Sequence, residues 1–187
     1  MTSPTAIHIV GISGSLREQS YNTATLNAAV ELRPDGVAIE PVGIGDLPLY
    51  NDDLRLQGYP PAVERLRSRL AAADGILLVT PEYNYSVSGV LKNAIDWASR
   101  PPDQPFDGKP VAIMGASPGM LGTARAQYHL RQMLVFLNAY VLNRPEVMIA
   151  QAAAKFDEAG QLIDGPTREF VKSFLEAFAA WIRRMRA

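Results

Sequence analysis

Cysteine is absent from this chain of 187 residues, and histidine occurs only twice, as His8 and His129. Without cysteine the chain cannot form disulfides, use a catalytic thiolate or bind a metal through sulfur. The two histidines lie far apart in the sequence, and Asp52, Asp53 and Asp103 are interpreted as surface residues of loops. We therefore predict no metal site.

A dominant charge of one sign is also lacking, because 19 acidic and 18 basic residues are interspersed and give a formal net charge of −1. Such a chain has no electrostatic surface for nucleic acid or for a membrane, so small molecules are the expected partners. No apolar segment reaches the length of a membrane-spanning helix, and no signal-peptide pattern opens the sequence. We therefore expect a cytoplasmic protein.

Apolar runs alternate with helical periodicities along the chain and predict an α/β fold. Five strand regions are predicted, at residues 6–12, 37–42, 75–80, 111–116 and 140–149, the last interrupted by Pro145. Helices are predicted at 23–32, 60–73, 90–99, 124–138 and 166–186, and an irregular loop at 47–53. The alternation indicates a doubly wound parallel sheet, and five strands favour the flavodoxin-like order 2-1-3-4-5 with helices on both faces. We expect residues 1–187 to form a single domain.

A polar loop follows the first predicted strand, with the sequence Gly14-Ser15-Leu16-Arg17-Glu18-Gln19-Ser20-Tyr21-Asn22. Turns from a strand into a helix bind anions, because free N–H groups and the positive end of the helix dipole point outward there. Arg17 adds a permanent cation that can bind phosphate oxygens. The loop contains neither G-x-G-x-x-G nor G-K-[ST], which favours a smaller phosphorylated ligand than a dinucleotide. The alternative is an ordinary capped turn with Arg17 in solvent.

Two further loops leave the same edge of the predicted sheet, because all strands of a parallel sheet end on one side. They are Pro81-Glu82-Tyr83-Asn84-Tyr85-Ser86 and Ser117-Pro118-Gly119-Met120-Leu121-Gly122-Thr123. Glu82, Tyr83 and Asn84 can hydrogen-bond the edge of a polar heterocycle, and Tyr83 or Tyr85 can provide an aromatic wall. A phosphate at the first loop and a flat ring at the second indicate FMN, bound in the crevice between them.

The segment Gly115-Ala116-Ser117-Pro118-Gly119 matches the G-x-S-x-G motif of serine hydrolases. The residue after the nucleophilic serine must donate its N–H to the oxyanion, and Pro118 has no N–H. Neither histidine lies in a late loop, so we reject a hydrolase. A response regulator is rejected as well, because the first and third strands end in Ile12-Ser13 and Thr80-Pro81 instead of acidic residues.

Three other polar features receive a structural interpretation. Glu40 is predicted to be a solvated strand residue, because no glycine fingerprint accompanies it. His129 is expected to pack or hydrogen-bond at a helix face. The basic residues near the end of the last predicted helix suit its C-terminus by charge, so no site is assigned to Arg183, Arg184 and Arg186.

The first two loops, together with Leu91-Lys92-Asn93-Ala94-Ile95-Asp96-Trp97, resemble the NADPH-dependent FMN reductase family, and the match runs from the first strand to the last helix. Tyr85 and the segment Arg125-Ala126-Gln127-Tyr128-His129-Leu130-Arg131-Gln132 resemble its bacterial quinone and chromate reductase branch. Two positions depart from the family pattern. Ser88 stands where relatives commonly have proline and is expected to loosen the second loop, and Pro118 is expected to stiffen the third.

The resemblance implies bound FMN, with NADPH or NADH as cosubstrate. The FMN phosphate would be held by Ser15, Leu16, Arg17, Gln19, Ser20, Tyr21 and Asn22. The isoalloxazine would be held by Pro81, Glu82, Tyr83, Asn84 and Tyr85, with Ser117 and Gly119 bordering the ring. No catalytic acid or base is assigned, because the cofactor carries the chemistry.

The expected reaction is a ping-pong transfer of a hydride from NAD(P)H to FMN and then to a quinone, chromate, an azo compound or free flavin. The resemblance also implies a homodimer or homotetramer. Independently, residues 124–138 are apolar around more of the helix than one sheet face can cover, so we expect this helix at a subunit interface.

Two alternatives from other functional classes stay open. The first is a flavodoxin-type one-electron carrier, although such carriers are typically strongly acidic and this chain is nearly neutral. The second is a flavin-binding or anion-binding module without turnover.

Overall fold

The computed structural model describes residues 6–186, which form a parallel β-sheet with helices on both faces. The strands are β1 (Ile7–Ser13), β2 (Val37–Pro41), β3 (Gly75–Val79), β4 (Pro110–Ala116), β5 (Tyr140–Val141) and β6 (Val147–Ile149). Their order is β2-β1-β3-β4-β5, with every pairing parallel. This order confirms the flavodoxin-like prediction.

The last predicted strand is divided into β5 and β6, and both parts pair with β4. β5 lies beside Pro110 and Val111 at the start of β4, and β6 lies beside the last three residues of that strand. Between them, residues 142–146 leave the regular sheet. Pro145 has no N–H to donate to a ladder, so the predicted break in this region is confirmed.

The helices are α1 (Tyr21–Glu31), α2 (Asp52–Leu56), α3 (Pro61–Ala72), α4 (Gly89–Ala98), α5 (Ala124–Phe136) and α6 (Gly165–Arg186), with a 3₁₀ turn at Ala152–Ala154. Alternate residues of each strand face opposite sides of the sheet, which produces two apolar cores. One core packs α1 and α6 on the sheet through side chains such as Phe174 and Phe178. The other packs α3, α4 and α5 through side chains such as Leu70, Leu91 and Leu130. Both faces of β3 and β4 are buried, which explains their unbroken apolar sequences.

The short helix α2 overlaps the end of the segment predicted to be an irregular loop, so that prediction is wrong there. The side chain of Asn51 accepts a hydrogen bond from the N–H of Asp53 at 2.9 Å and thereby starts the helix. The side chain of Arg55 donates to Asp52, and this hydrogen bond lowers the pKa of Asp52 to about 2. Local side-chain bonds therefore stabilise a helical turn in a turn-rich sequence.

Glu40 lies in β2 with 36% of its side chain exposed, and its carboxylate also joins an ion-pair network that was not predicted. One of its oxygens is 3.0 Å from Nε2 of His8, and the other accepts from the guanidinium of Arg69. Glu40 therefore connects β1, β2 and α3. At the end of α6, Arg186 pairs with Asp74, so this member of the basic cluster has a partner in the fold.

Two negative results apply to the part of the chain that the structure describes. None of its helices combines the length and the apolarity that a membrane crossing requires. No group of three or more His, Asp or Glu side chains in residues 6–186 is placed to hold a metal ion.

Candidate functional site

Three loops meet at the carboxyl edge of the sheet: loop 1 (residues 14–22) after β1, loop 2 (residues 81–86) after β3, and loop 3 (residues 117–123) after β4. They line a crevice of about 70 Å³. Its walls are formed by Ser15, Arg17, Ser20, Tyr21, Asn22, Pro81, Glu82, Tyr83, Ala116, Ser117 and Pro118. The structure thus brings most of the predicted site residues to one place.

The remaining predicted residues lie around this crevice and not in its walls. Leu16 and Gln19 face neighbouring clefts on either side of loop 1. Asn84 and Tyr85 form the exposed tip of loop 2, and Gly119 is exposed in loop 3. These residues are therefore placed to contact the outer parts of a ligand that extends beyond the crevice.

Loop 1 leads into α1 through Ser20, whose hydroxyl accepts hydrogen bonds from the N–H groups of Asn22 at 3.2 Å and Thr23 at 3.4 Å. This cap starts α1 at Tyr21, two residues earlier than predicted. No hydrogen bond within residues 6–186 uses the N–H groups of Glu18, Gln19 and Tyr21.

Arg17 is exposed beside these donors, and its guanidinium joins none of the ion pairs found in residues 6–186. Uncommitted N–H groups at a helix N-terminus and a nearby cation are the requirements of an anion site. Loop 1 meets both requirements.

Asn22 joins loop 1 to the end of β4. Its amide nitrogen donates to the carbonyl oxygen of Ala116 at 3.0 Å, and its amide oxygen accepts from the N–H of Ala116 at 2.9 Å. The side chain is buried. The sequence predicts Asn22 to be a ligand-binding residue, but in the structure its amide oxygen and one amide N–H are bonded to the backbone. Asn22 therefore fixes the position of loop 1 relative to loop 3.

Loop 2 is a tight turn closed by two backbone hydrogen bonds between Tyr83 and Ser86, at 3.1 and 3.0 Å. Its two central residues, Asn84 and Tyr85, have positive φ angles of 51° and 62°. Positive φ at both positions defines a type I′ turn, which Asn tolerates and which strains a residue such as Tyr. The turn exposes 47% of Tyr83 and 65% of Tyr85. It thereby holds two aromatic side chains at the rim in a fixed backbone conformation.

Glu82 connects loop 2 to the start of α5. One carboxylate oxygen accepts from the N–H groups of Arg125 at 2.9 Å and Ala126 at 3.1 Å, and the other lies 3.2 Å from the Arg125 guanidinium. A carboxylate at this position caps the helix and is stabilised by its dipole. The same guanidinium lies 3.8 Å from the ring centre of Tyr85.

This role of Arg125 was not predicted from the sequence. One local signal was available in the sequence, because the first turn of α5 has no acidic residue to stabilise its N-terminus. His129, one turn further along α5, lies 3.0 Å from the hydroxyl of Ser86, in line with its expected role at a helix face.

Loop 3 is held by its own polar groups. The hydroxyl of Ser117 donates to the carbonyl oxygen of Gly122 at 2.5 Å, and the backbone N–H of Ser117 donates to the carbonyl oxygen of Ile149 at 3.0 Å. This serine is therefore not placed as a nucleophile. Directly before the loop, a Cβ on Gly115 would collide with Thr123 and with the Thr80 carbonyl oxygen, so only glycine fits there.

The segment 91–97, which lies in α4, holds a neighbouring loop in place through hydrogen bonds. Asn93 and Trp97 both donate hydrogen bonds to the carbonyl oxygen of Pro48, at 2.9 and 2.8 Å. The amide oxygen of Asn93 also accepts from the N–H of Tyr50 at 2.7 Å. α4 therefore fixes the loop that follows β2, which ends on the same edge of the sheet as loops 1 and 2.

Ser88 is the N-cap of α4 and is completely buried. Its hydroxyl donates to the carbonyl oxygen of Gly14 at 2.6 Å and accepts from the N–H of Leu91 at 3.4 Å. The expectation that this serine loosens loop 2 is wrong, because it adds a hydrogen bond to loop 1.

Comparison with known proteins shows the family to which the chain belongs. The profile of the NADPH-dependent FMN reductase family matches residues 7–154. The chain belongs to this family. Membership confirms the predicted oxidoreductase class and, with it, FMN and NAD(P)H as cofactors.

Similar members of the NADPH-dependent FMN reductase family and one solved structure extend the match to nearly the whole chain. An NAD(P)H-dependent FMN reductase from Pseudomonas aeruginosa is 59% identical over 180 residues, which cover 96% of this chain and 97% of that protein. A quinone reductase from Escherichia coli is 45% identical over 183 residues, with 96% and 97% covered. The solved structure of the flavoenzyme NAD(P)H:acceptor oxidoreductase from Paracoccus denitrificans matches with a TM-score of 0.87 at 38% identity. The match covers 96% of this chain and 98% of that protein.

The residues of the crevice fit the FMN of this family. Loop 1 supplies uncommitted backbone donors, the Ser20 hydroxyl and the Arg17 cation for a phosphate dianion. Loop 2 supplies two exposed aromatic rings beside it. The crevice has room for a small group such as a phosphate, whereas a tricyclic ring has to lie along the open rim.

Proposed function

We propose that residues 1–187 form one domain that holds FMN at loops 1, 2 and 3 and passes reducing equivalents from NAD(P)H to quinones. The observation that carries the proposal is the meeting of uncommitted anion donors in loop 1 with exposed aromatic rings in loop 2. The likeness to a quinone reductase supports quinones as acceptors. Chromate, azo compounds and free flavin are further proposed acceptors, because an open rim selects weakly by shape.

The predicted residues divide into three groups in this proposal. Ser15, Leu16, Arg17, Gln19, Ser20, Tyr21 and Asn22 surround the phosphate, with Arg17 and the backbone N–H groups as its principal donors. Pro81, Glu82, Tyr83, Asn84 and Tyr85 lie along the ring. Ser117 and Gly119 border its other side.

The protein's contribution to the reaction is positioning. FMN, when bound, supplies reversible two-electron chemistry. NAD(P)H and the acceptor use the same open rim beside Tyr83 and Tyr85, so one must leave before the other binds, which gives a ping-pong order. We assign no protein acid or base, because both carboxylate oxygens of Glu82, the acidic residue in the crevice wall, are bonded to α5.

A homodimer or homotetramer in the cytoplasm is part of the proposal. The outward side of α5 exposes Tyr128, 77% of Val135 and 85% of Phe136, an apolar surface that the chain itself leaves uncovered. Light scattering at micromolar concentration is expected to give a multiple of the 20.4 kDa chain mass. A monomeric mass would contradict this part of the proposal and leave the chemistry untouched.

The absorption spectrum of the purified protein, followed by anaerobic addition of NADPH, tests the central proposal. We expect a yellow flavin spectrum that bleaches within seconds and returns when a quinone is added. A protein that stays yellow with NADPH would be a carrier or a passive flavin binder. A colourless protein that FMN cannot reconstitute would refute the cofactor site.

A further inference from the structure

Gly14, the first residue of loop 1, is enclosed by the segment that contains loop 2. Its N–H donates to the carbonyl oxygen of Val79, at the end of β3, at 2.8 Å. Its Cα packs so closely that an added Cβ would lie 3.0 Å from Cδ of Pro81 and 3.1 Å from Leu91. The start of loop 1 is therefore held between the end of β3 and the first turn of α4.

The carbonyl oxygen of Gly14 completes this enclosure through the Ser88 hydroxyl, at 2.6 Å. Among the hydrogen bonds within residues 6–186, this is the side-chain bond that joins loop 1 to the segment 80–91. Ser88 follows the turn of loop 2 by two residues and is completely buried, so water cannot substitute for its hydroxyl. The bond sets the separation between the start of loop 1 and the end of loop 2.

We propose that Ser88 is a positioning residue for FMN, which couples the phosphate-binding loop to the ring-binding loop. The inference depends on the proposed function, because it requires a ligand whose two ends contact loops 1 and 2. A ligand held at both ends gains affinity when the two contact sites are fixed at the correct separation. A ligand without the phosphate has only the ring end to place and gains little from the coupling.

The backbone at Ser88 permits a variant that removes the hydroxyl and keeps the chain path. Its φ is −61°, the value that a proline ring imposes, and its N–H takes part in no hydrogen bond within residues 6–186. Both Ser88→Ala and Ser88→Pro leave the Gly14 carbonyl oxygen without its partner. Proline also restricts the unfolded chain, so Ser88→Pro is expected to fold even if Ser88→Ala does not. Ser99→Ala is the matched control, because Ser99 is also buried and lies at the other end of α4, where its hydroxyl donates to the Asp96 carbonyl oxygen and accepts from Arg100.

The experiment compares FMN with riboflavin, which lacks the phosphate, by fluorescence titration of the apoprotein. In Ser88→Ala and Ser88→Pro, the Kd of FMN should rise about tenfold, the equivalent of one hydrogen bond, and the Kd of riboflavin should change less than about twofold. Both constants should be unchanged in Ser99→Ala. Urea unfolding of the same variants measures stability separately.

Equal losses for FMN and riboflavin would overturn the coupling, because they would show a general effect on the fold. Unchanged FMN affinity in Ser88→Pro would overturn it as well. Failure of the unaltered protein to bind FMN would instead refute the proposed function. If Ser88→Ala does not fold, Ser88→Pro decides the question alone.

Discussion

Loop 1 and loop 2 reach the same crevice from neighbouring strands, yet they use their polar groups in opposite ways. In loop 1 the N–H groups of Glu18, Gln19 and Tyr21 and the guanidinium of Arg17 have no partner within residues 6–186. In loop 2 the turn is closed by two backbone bonds, and the Glu82 carboxylate is bonded to α5. Loop 3 behaves like loop 2, because Ser117 bonds to its own loop.

Under the proposed function, this difference matches the two ends of FMN. A phosphate carries charge and several acceptor oxygens, so it is bound best by donors that have no other partner. A flat ring offers area and a few polar edges, so it is bound best by a surface whose shape does not change. Removing the free donors of loop 1 should therefore affect ligand affinity, whereas removing the internal bonds of loops 2 and 3 should affect the stability of the fold.

The largest expected effect is a loss of stability at Gly115, in β4 directly before loop 3. Gly115→Ala places a Cβ against Thr123 and the Thr80 carbonyl oxygen, and backbone cannot move aside as a flexible side chain can. We expect a loss of about 3 kcal/mol in the free energy of unfolding, measured in urea. Gly119→Ala is the control, because its nearest neighbour would be 3.6 Å away, and a change below about 0.5 kcal/mol is expected there.

The next largest effect is expected on FMN affinity, at Arg17 in loop 1. Arg17→Ala should weaken FMN binding by about 2 kcal/mol, roughly thirtyfold, because a charge-assisted contact to phosphate is lost. The stability of the apoprotein should stay the same, since this guanidinium joins no ion pair within residues 6–186. Flavin retention during dialysis and a titrated Kd measure the effect, with the exposed Arg65→Ala as control. Unchanged retention would remove Arg17 from the phosphate site.

A smaller loss of stability is expected at Glu82. Glu82→Ala removes the cap of α5 and the ion pair with Arg125, and should cost about 1.5 kcal/mol of apoprotein stability in urea. Glu82→Gln keeps an acceptor for the helix N–H groups and should lose about half as much. If both variants unfold like the unaltered apoprotein, Glu82 serves the ligand only and the contrast between the loops fails.

The smallest effect is expected at Asn84, in the turn of loop 2. Asn84→Ala puts a less tolerant residue at a φ of 51° and should cost about 1 kcal/mol. Asn84→Gly should be within about 0.5 kcal/mol of the unaltered protein, because glycine adopts positive φ without strain. Thermal unfolding of the two apoproteins compares them directly. Equal losses for Ala and Gly would mean that the Asn84 side chain, and not its φ, stabilises the turn.

Much of the architecture could be predicted from local sequence. The unbroken apolar runs of β3 and β4 indicate strands buried on both faces, and Pro145 indicates the break between β5 and β6. The polar character of loop 1 predicts an anion site, because cap residues and a helix start are local features. The short helix α2 was missed because its stabilising bonds involve side chains in a turn-rich stretch.

The contacts that organise the site could not be predicted in this way, because they join residues distant in sequence. Asn22 meets Ala116 across 94 positions, Ser88 meets Gly14 across 74, and Glu82 meets Arg125 across 43. Each of these side chains has an ordinary local interpretation as a cap or a ligand-binding group. Only the folded sheet places the second partner beside it.

The division of the last predicted strand into β5 and β6 affects aggregation through the edge of the sheet. A long unbroken edge strand exposes a row of N–H and C=O groups to which a foreign strand can add, the initial step of amyloid-like growth. Here β5 has two residues and β6 has three, and Arg131 donates to the Leu142 carbonyl oxygen at 3.1 Å in the gap. An incoming strand finds no continuous ladder at this edge, so the interruption protects the sheet from edge-to-edge aggregation.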